Sequence, residues 1–216
     1  MITIHHFVFN PFYENTFLVW NSSGETVILD PGCYSKAEQN LLKDFIEEKN
    51  LKPVALLNTH CHIDHILGNA FVLQNWDVPL YAPAGETQAF ESVLQYGPGM
   101  GIFPEKSPDA AVELNGGEVL DFLGLTWEVL SVPGHSPDGM CFYLPQEACL
   151  FAGDVLFRES IGRTDLPGGN LERLLSGIRT KLFTLPSTTK VFPGHGEATE
   201  IGYEILNNPF LSGRFG

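Results

Sequence analysis

Short β-branched and aromatic runs alternate with helical stripes along this chain. Residues 2–9, 16–20 and 26–29 predict three strands of a meander, parted by Asn10-Pro11 and by Asn21-Ser22-Ser23-Gly24. Asp30-Pro31-Gly32 ends the meander. A helix is then predicted from Ser35, whose spacing to Glu38 makes a capping box, with Leu41, Leu42, Phe45 and Ile46 as its apolar stripe. Val54-Ala55-Leu56-Leu57 predicts a buried strand running into Thr59-His60, and Asp64-His65 should open the next helix. Residues 78–82 predict a strand and 86–95 a helix. Strands near 125–132, 140–144 and 148–152 follow. Asn170 should cap a helix carrying Leu171, Leu174, Leu175 and Ile178 on one face. Residues 190–192 predict a strand, and a last short helix should start near Thr199. Strands in groups with helices between them predict an α/β fold of two packed sheets with helices outside, four layers in all.

Polar residues with metal-ligand chemistry sit where these strands end. Thr59-His60-Cys61-His62-Ile63-Asp64-His65 packs three imidazoles and a carboxylate together, the donors that borderline divalent metals such as zinc prefer. Without a cation such a cluster would be poorly tolerated in a core. His135 follows Val-Pro-Gly, Asp154 follows Phe-Ala-Gly, and His195 follows Phe-Pro-Gly; each comes after an apolar run that ends in Gly. Five of the seven histidines are thus candidate ligands, while His5 and His6 read as ordinary strand residues.

Composition narrows the partners. At 216 residues the chain can bury one sizeable core and is expected to form a single domain over 1–216. A formal net charge of −14 argues against nucleic acid. No apolar stretch approaches the roughly 18 residues of a membrane span. The N-terminus reads as a first strand rather than a signal peptide, so a cytoplasmic location is expected. Cys33, Cys61, Cys141 and Cys149 show no Cys-x-x-Cys pair and are expected as free thiols, with Cys61 pointing away from any metal. Gly97 to Pro108 is expected to be a loop exposing Met100, Ile102 and Phe103, and either a plain surface loop or one overhanging the site. Tyr81, Tyr96 and Tyr143 are expected to be packing residues.

The order His-x-His-x-Asp-His, then His, Asp and His, resembles the metallo-β-lactamase superfamily. Asp30-Pro31-Gly32, Gly153-Asp154 and Pro193-Gly194-His195 fit the same likeness. The resemblance implies an αβ/βα sandwich with metals at one edge of the two sheets. Within the superfamily the chain is similar to the glyoxalase II group, the hydroxyacylglutathione hydrolases, and to their short single-domain relatives; residues 156–169 carry that likeness. About 20 residues follow His195, so the helical domain that larger members use to grip glutathione is expected to be absent, and selectivity for the thiol part to be loose.

The resemblance implies that His60, His62 and His135 hold one divalent ion, that Asp64, His65 and His195 hold a second, and that Asp154 bridges them. Zinc is the first choice, with iron or manganese suited to the more oxygen-rich site. Asp64 and Asp154 carry the expected catalytic roles, in a thioesterase that cleaves 2-hydroxyacyl thioesters such as S-lactoylglutathione with a metal-bridging hydroxide. The expected partner is an anionic small molecule. Arg158 and Arg163 are candidate cations for its charge, with an ion pair to Asp165 or Glu159 as the alternative. Met100 and Phe103 are further candidate substrate contacts. Two other readings of the same ligands stand beside this one: a mononuclear-iron persulfide dioxygenase, and a lactonase or other metallo-hydrolase. A β-lactamase is disfavoured, because those enzymes commonly carry Cys where this chain has Asp154.

Overall fold

The computed structural model describes residues 1–212, which divide into two compact units. Met1–Leu114 with Phe122–Gly124 form the first, and Asn115–Asp121 with residues 125–212 form the second.

In the first unit the elements run β1 (Thr3–Phe9), β2 (Glu14–Trp20), β3 (Glu25–Leu29), α1 (Lys36–Glu48), β4 (Lys52–Leu57), α2 (Ile63–Ile66), α3 (Asn69–Asn75), β5 (Leu80–Pro83), α4 (Ala89–Tyr96) and β6 (Val112–Leu114). The strands pair in sequence order, antiparallel from β1 to β3 and parallel from β3 to β6. Parallel neighbours need long crossovers, and α1 to α4 occupy them. Register sets a row His5–Leu18–Ile28–Leu56–Leu80 across the sheet. Its apolar members share one cluster with Leu42 and Ile46 of α1, Val72 of α3, and Phe90 and Val93 of α4. His5 continues the row by stacking on Phe45 at 4.4 Å. Val19, Val27, Ala55 and Leu57 alternate with this row and are also fully buried, which is why β3 and β4 read as unbroken apolar runs. The Ser35 capping box forms as expected: Glu38 N–H donates to Ser35 Oγ at 3.2 Å, and Ser35 N–H to Glu38 Oε2 at 2.7 Å.

The pairing of β3 with β4 matters most. Leu29 lies opposite Leu57, and Asp30 N–H donates to Leu57 O at 2.9 Å. Asp30 and the Asn58-Thr59-His60 segment therefore leave the sheet side by side at the carboxyl ends of parallel strands, where α/β sheets place their ligands.

The second unit holds β7 (Val119–Phe122, whose last residue clusters with the first unit), β8 (Leu125–Ser131), β9 (Met140–Leu144), β10 (Cys149–Gly153), the hairpin β11 (Leu156–Phe157) and β12 (Ser160–Ile161), α5 (Leu171–Gly177), β13 (Lys190–Pro193), β14 (Thr199–Glu200) and α6 (Ile201–Asn207). Its main sheet has the order β14-β13-β10-β9-β8-β7. Tyr143, Leu150 and Val191 form a row against Leu174 and Ile178, with Leu182 and Ile201 in the same cluster. β10 and β13 run parallel, with Gly153 opposite Pro193, so Asp154 and His195 also emerge next to each other.

Several expectations shift. Leu41 and Leu171 lie at the edges of their helical stripes and are exposed, while Ile102 is buried and anchors its loop to the first unit's core. Tyr96 is exposed rather than packed inside. The last helix begins at Ile201, because Thr199 and Glu200 extend the sheet beside β13. All four cysteines are free and buried. No described helix is long and apolar enough to cross a membrane.

Candidate metal centre

In the first unit the structure brings His60, His62, Asp64 and His65 together on the segment after β4. Ring centroids of His60 and His62 lie 4.7 Å apart, and those of His60 and His65 4.1 Å. His65 Nε2 lies 3.6 Å from Asp64 Oδ2.

Asp30 organises this cluster. It is buried and holds φ = +46°, a left-handed conformation uncommon outside Gly and tolerated best by Asn and Asp. Its Oδ1 accepts the Thr59 N–H at 2.7 Å, and its Oδ2 accepts the Thr59 hydroxyl at 2.6 Å. That hydroxyl has spent its only proton on the carboxylate, so it acts as acceptor toward His60 Nδ1 at 3.1 Å. The proton of His60 thus sits on Nδ1, leaving Nε2 as a lone-pair donor to a metal. Asp30 Oδ2 also faces His65 Nδ1 at 3.2 Å and favours the same tautomer there. One carboxylate therefore orients two candidate ligands, His60 through Thr59 and His65 directly.

Other buried groups fix the backbone of this segment. Glu86 Oε2 accepts the Cys61 N–H at 2.8 Å, while the Cys61 side chain belongs to the apolar core and burial pushes its thiol up. Asn58 Nδ2 donates to His65 O at 3.2 Å, and Asn69 ties Asn58 to Ser107. Asn10 Nδ2 donates to both Gly32 O and Asp64 O at 3.0 Å. Glu14 is wholly buried, its Oε2 accepting from the Thr16 hydroxyl at 2.9 Å. Burial holds its carboxyl well above the usual range; the His65 imidazole opposes this and the Asp30 charge adds to it.

In the second unit Asp154 is the focus. Its Oδ2 lies 3.6 Å from His135 Nε2 and 3.4 Å from His195 Nε2. His135 Nδ1–H donates to the Arg163 carbonyl at 2.9 Å, which fixes the tautomer and aims Nε2 at the carboxylate side. The backbone around these residues is shaped by two glycines. Gly134, at φ = +134°, lets the His135 loop lie against α5, where a Cβ would come within 2.5 Å of Leu174 N. At Gly162 a Cβ would stand 1.9 Å from Asp154 O and 3.0 Å from the His135 ring. Phe157 meets His195 edge-on at 6.4 Å.

The candidate substrate residues are placed as follows. The Arg163 guanidinium forms a two-pronged pair with Asp165, both bonds 2.7 Å, and holds that exposed carboxyl down to about 2. Its carbonyl, not its side chain, touches a candidate ligand. The Arg158 guanidinium lies 4.8 Å over the Tyr203 ring. Met100 and Phe103 are exposed, and the Phe103 N–H donates to the Tyr34 hydroxyl at 3.0 Å.

The donor set fits divalent metal ions. Each unit presents imidazole nitrogens beside carboxylate oxygens, and hydrogen bonds at Nδ1 orient His60 and His135. Asp30, Thr59, Glu86 and the Arg163 carbonyl were not singled out as functional from sequence. Asp30 had one visible signal, an acidic residue between a strand and Pro-Gly.

His and Asp side chains gathered after successive strands make the donor groups of a metal-dependent hydrolase. The chain belongs to the metallo-beta-lactamase superfamily, whose family model matches residues 9–195. It is 40% identical over 195 residues to the probable metallo-hydrolase YqgX of Bacillus subtilis, covering 89% of this chain and 90% of that one. It is 35% identical over 206 residues to the hydroxyacylglutathione hydrolase GloC of Haemophilus influenzae, covering 94% and 95%. Among solved structures, the BLEG-1 B3 metallo-beta-lactamase superposes with a TM-score of 0.91 at 35% identity, covering 98% of this chain and 100% of that one. TTHA1623 in a di-iron-bound form gives 0.84 at 36% identity, covering 96% and 100%. The fold is the mixed α/β metallo-β-lactamase fold with two sheets, as expected from the sequence.

Proposed function

We propose that this protein is a binuclear metal-dependent thioesterase of glyoxalase II type, acting on 2-hydroxyacyl thioesters such as S-lactoylglutathione. The observation that carries the binuclear reading is Asp154, whose one oxygen faces Nε2 of both His135 and His195. Similarity to GloC over most of both chains supports the thioester. His60, His62 and His135 would hold one ion, and Asp64, His65 and His195 the other, with Asp154 serving both. Zinc suits the imidazole-rich set, and iron suits both.

A bound pair of divalent ions supplies Lewis acidity and a water whose pKa falls from about 15.7 toward 7. The chain's own residues do the rest. The Thr59 hydroxyl and the Arg163 carbonyl hold the Nδ1 side of His60 and His135, so that Nε2 of each is aimed at the metal position. Asp64 would orient an attacking water by accepting its hydrogen bond. A thiol leaving group, with a pKa of about 8.5, departs as thiolate without a dedicated general acid. The expected substrate is a small anionic thioester; nucleic acid and membrane surfaces are disfavoured by the charge of −14. A cytoplasmic site of action agrees with this chemistry.

The test is a substrate panel run with elemental analysis: S-lactoylglutathione, a lactone, a β-lactam, a phosphodiester, and glutathione persulfide under an oxygen electrode. The β-lactam belongs there because of the likeness to BLEG-1. Thioester turnover is expected. Turnover of the lactone, β-lactam or persulfide with none of the thioester would overturn the thioesterase reading.

A further inference from the structure

Tyr96 is the last residue of α4, and the turn after it packs directly on the ligand segment. A Cβ at Gly97 would meet Ile63 Cδ1 at 3.1 Å and Ile102 O at 2.9 Å, so the end of α4 sits tightly on the residue between His62 and Asp64. The following segment is anchored at two more points: Ile102 enters the core, and the Phe103 N–H bonds the Tyr34 hydroxyl. An anchored segment that still exposes Tyr96, Met100 and Phe103 presents an apolar surface beside a chemical site, which marks a binding region more than a bare loop.

Tyr96 as a residue is 43% exposed, yet its hydroxyl oxygen is turned inward against the Ile63 N–H and lies near the Asp64 carboxylate. A phenol, with its ordinary pKa of about 10, keeps its proton at neutral pH. With the Ile63 amide on the oxygen, the O–H remains to donate outward. In a 2-hydroxyacyl thioester the carbonyl oxygen is the atom a Lewis acid polarises. The neighbouring 2-hydroxyl oxygen is an acceptor that needs a donor from the protein.

We propose, building on the thioesterase reading, that Tyr96 contacts the acyl group and donates a hydrogen bond to its 2-hydroxyl oxygen. Tyr96 then selects 2-hydroxyacyl over plain acyl substrates, while Met100 and Phe103 border the path the acyl chain takes. A site built to bond a substrate hydroxyl discriminates against the analogue that lacks it, because a buried polar group is left unmatched.

The experiment compares S-lactoyl and S-propionyl esters of one thiol, on wild type and Tyr96→Phe, with metal content and melting temperature recorded for both proteins. The variant should lose about tenfold in kcat/KM on the lactoyl ester and about twofold or less on the propionyl ester, with metal content unchanged. Equal losses on both esters, or no loss on the lactoyl ester, would overturn the assignment. A second arm measures lactate and propionate binding to the metal-loaded protein by calorimetry. Wild type should prefer lactate and the variant should not; equal binding of the two acids by wild type would overturn it as well. If wild type cleaves no thioester, the functional reading fails on its own, and the calorimetric arm still decides the role of Tyr96.

Discussion

Replacing Asp30 by Asn keeps the size of the side chain and its tolerance of positive φ, but removes the charge and one acceptor. In the native protein three donors face this carboxylate: the Thr59 N–H at 2.7 Å, the Thr59 hydroxyl at 2.6 Å, and His65 Nδ1 at 3.2 Å. An amide offers them one oxygen and one NH₂, so at least one donor must face another donor in a buried place. A charge-assisted hydrogen bond lost under those conditions is worth about 1.5–3 kcal/mol. At about 3 kcal/mol, the metal-free protein should melt roughly 6–12 °C lower. His60 and His65 would lose their set tautomers, so metal affinity should fall by about 10–100-fold. Differential scanning fluorimetry of the metal-free protein and competition against a chromophoric chelator read the two effects. A variant with native melting temperature and native metal affinity would refute the idea that Asp30 sets these imidazoles.

Gly162→Ala puts a Cβ 1.9 Å from the Asp154 carbonyl, so it should cost about 2–3 kcal/mol and lower bound metal; a native-like melting curve with full metal would contradict the crowding. Glu14 holds its proton in the folded chain at pH values where the unfolded chain has lost it. Stability of the metal-free protein should therefore be full below the usual value of 4.5 and fall as pH rises toward the raised value, by up to about 1.4 kcal/mol per unit. Glu14→Gln should flatten that slope in melting temperature, and an unaltered slope would count against the buried acid. Asp154→Ala should strip metal and abolish activity, whereas Cys61→Ala, which trims a core thiol, should cost about 1 kcal/mol and keep its metal. Metal loss from the cysteine variant would mean the side chains face the other way.

Local signals were readable in advance, and non-local ones were not. The Ser35–Glu38 cap and the Asn170 cap involve neighbours three residues apart, and both form. The histidine and aspartate ligand candidates stood out because few other chemistries place such residues at successive strand ends. Leu41 and Leu171 show the limit of periodicity, which locates a stripe but not its edges. The place of Asp30 depends on β3 pairing with β4, across 29 residues of chain, and no local pattern carries that. Arg163 stood out for its guanidinium, yet its carbonyl holds His135, and a backbone contact leaves no mark on residue type. β11, β12 and β14 are two residues each, too short for any alternation to show.

Metal titration into chelator-stripped protein, with S-lactoylglutathione hydrolysis as readout, bears most directly on a shared binuclear centre. Activity should rise to a plateau at about two equivalents of zinc or iron per chain, if Asp154, which faces both His135 and His195, serves two ions as proposed. A plateau at about one equivalent of iron, with oxygen consumed on a persulfide and no thioester cleaved, would contradict it.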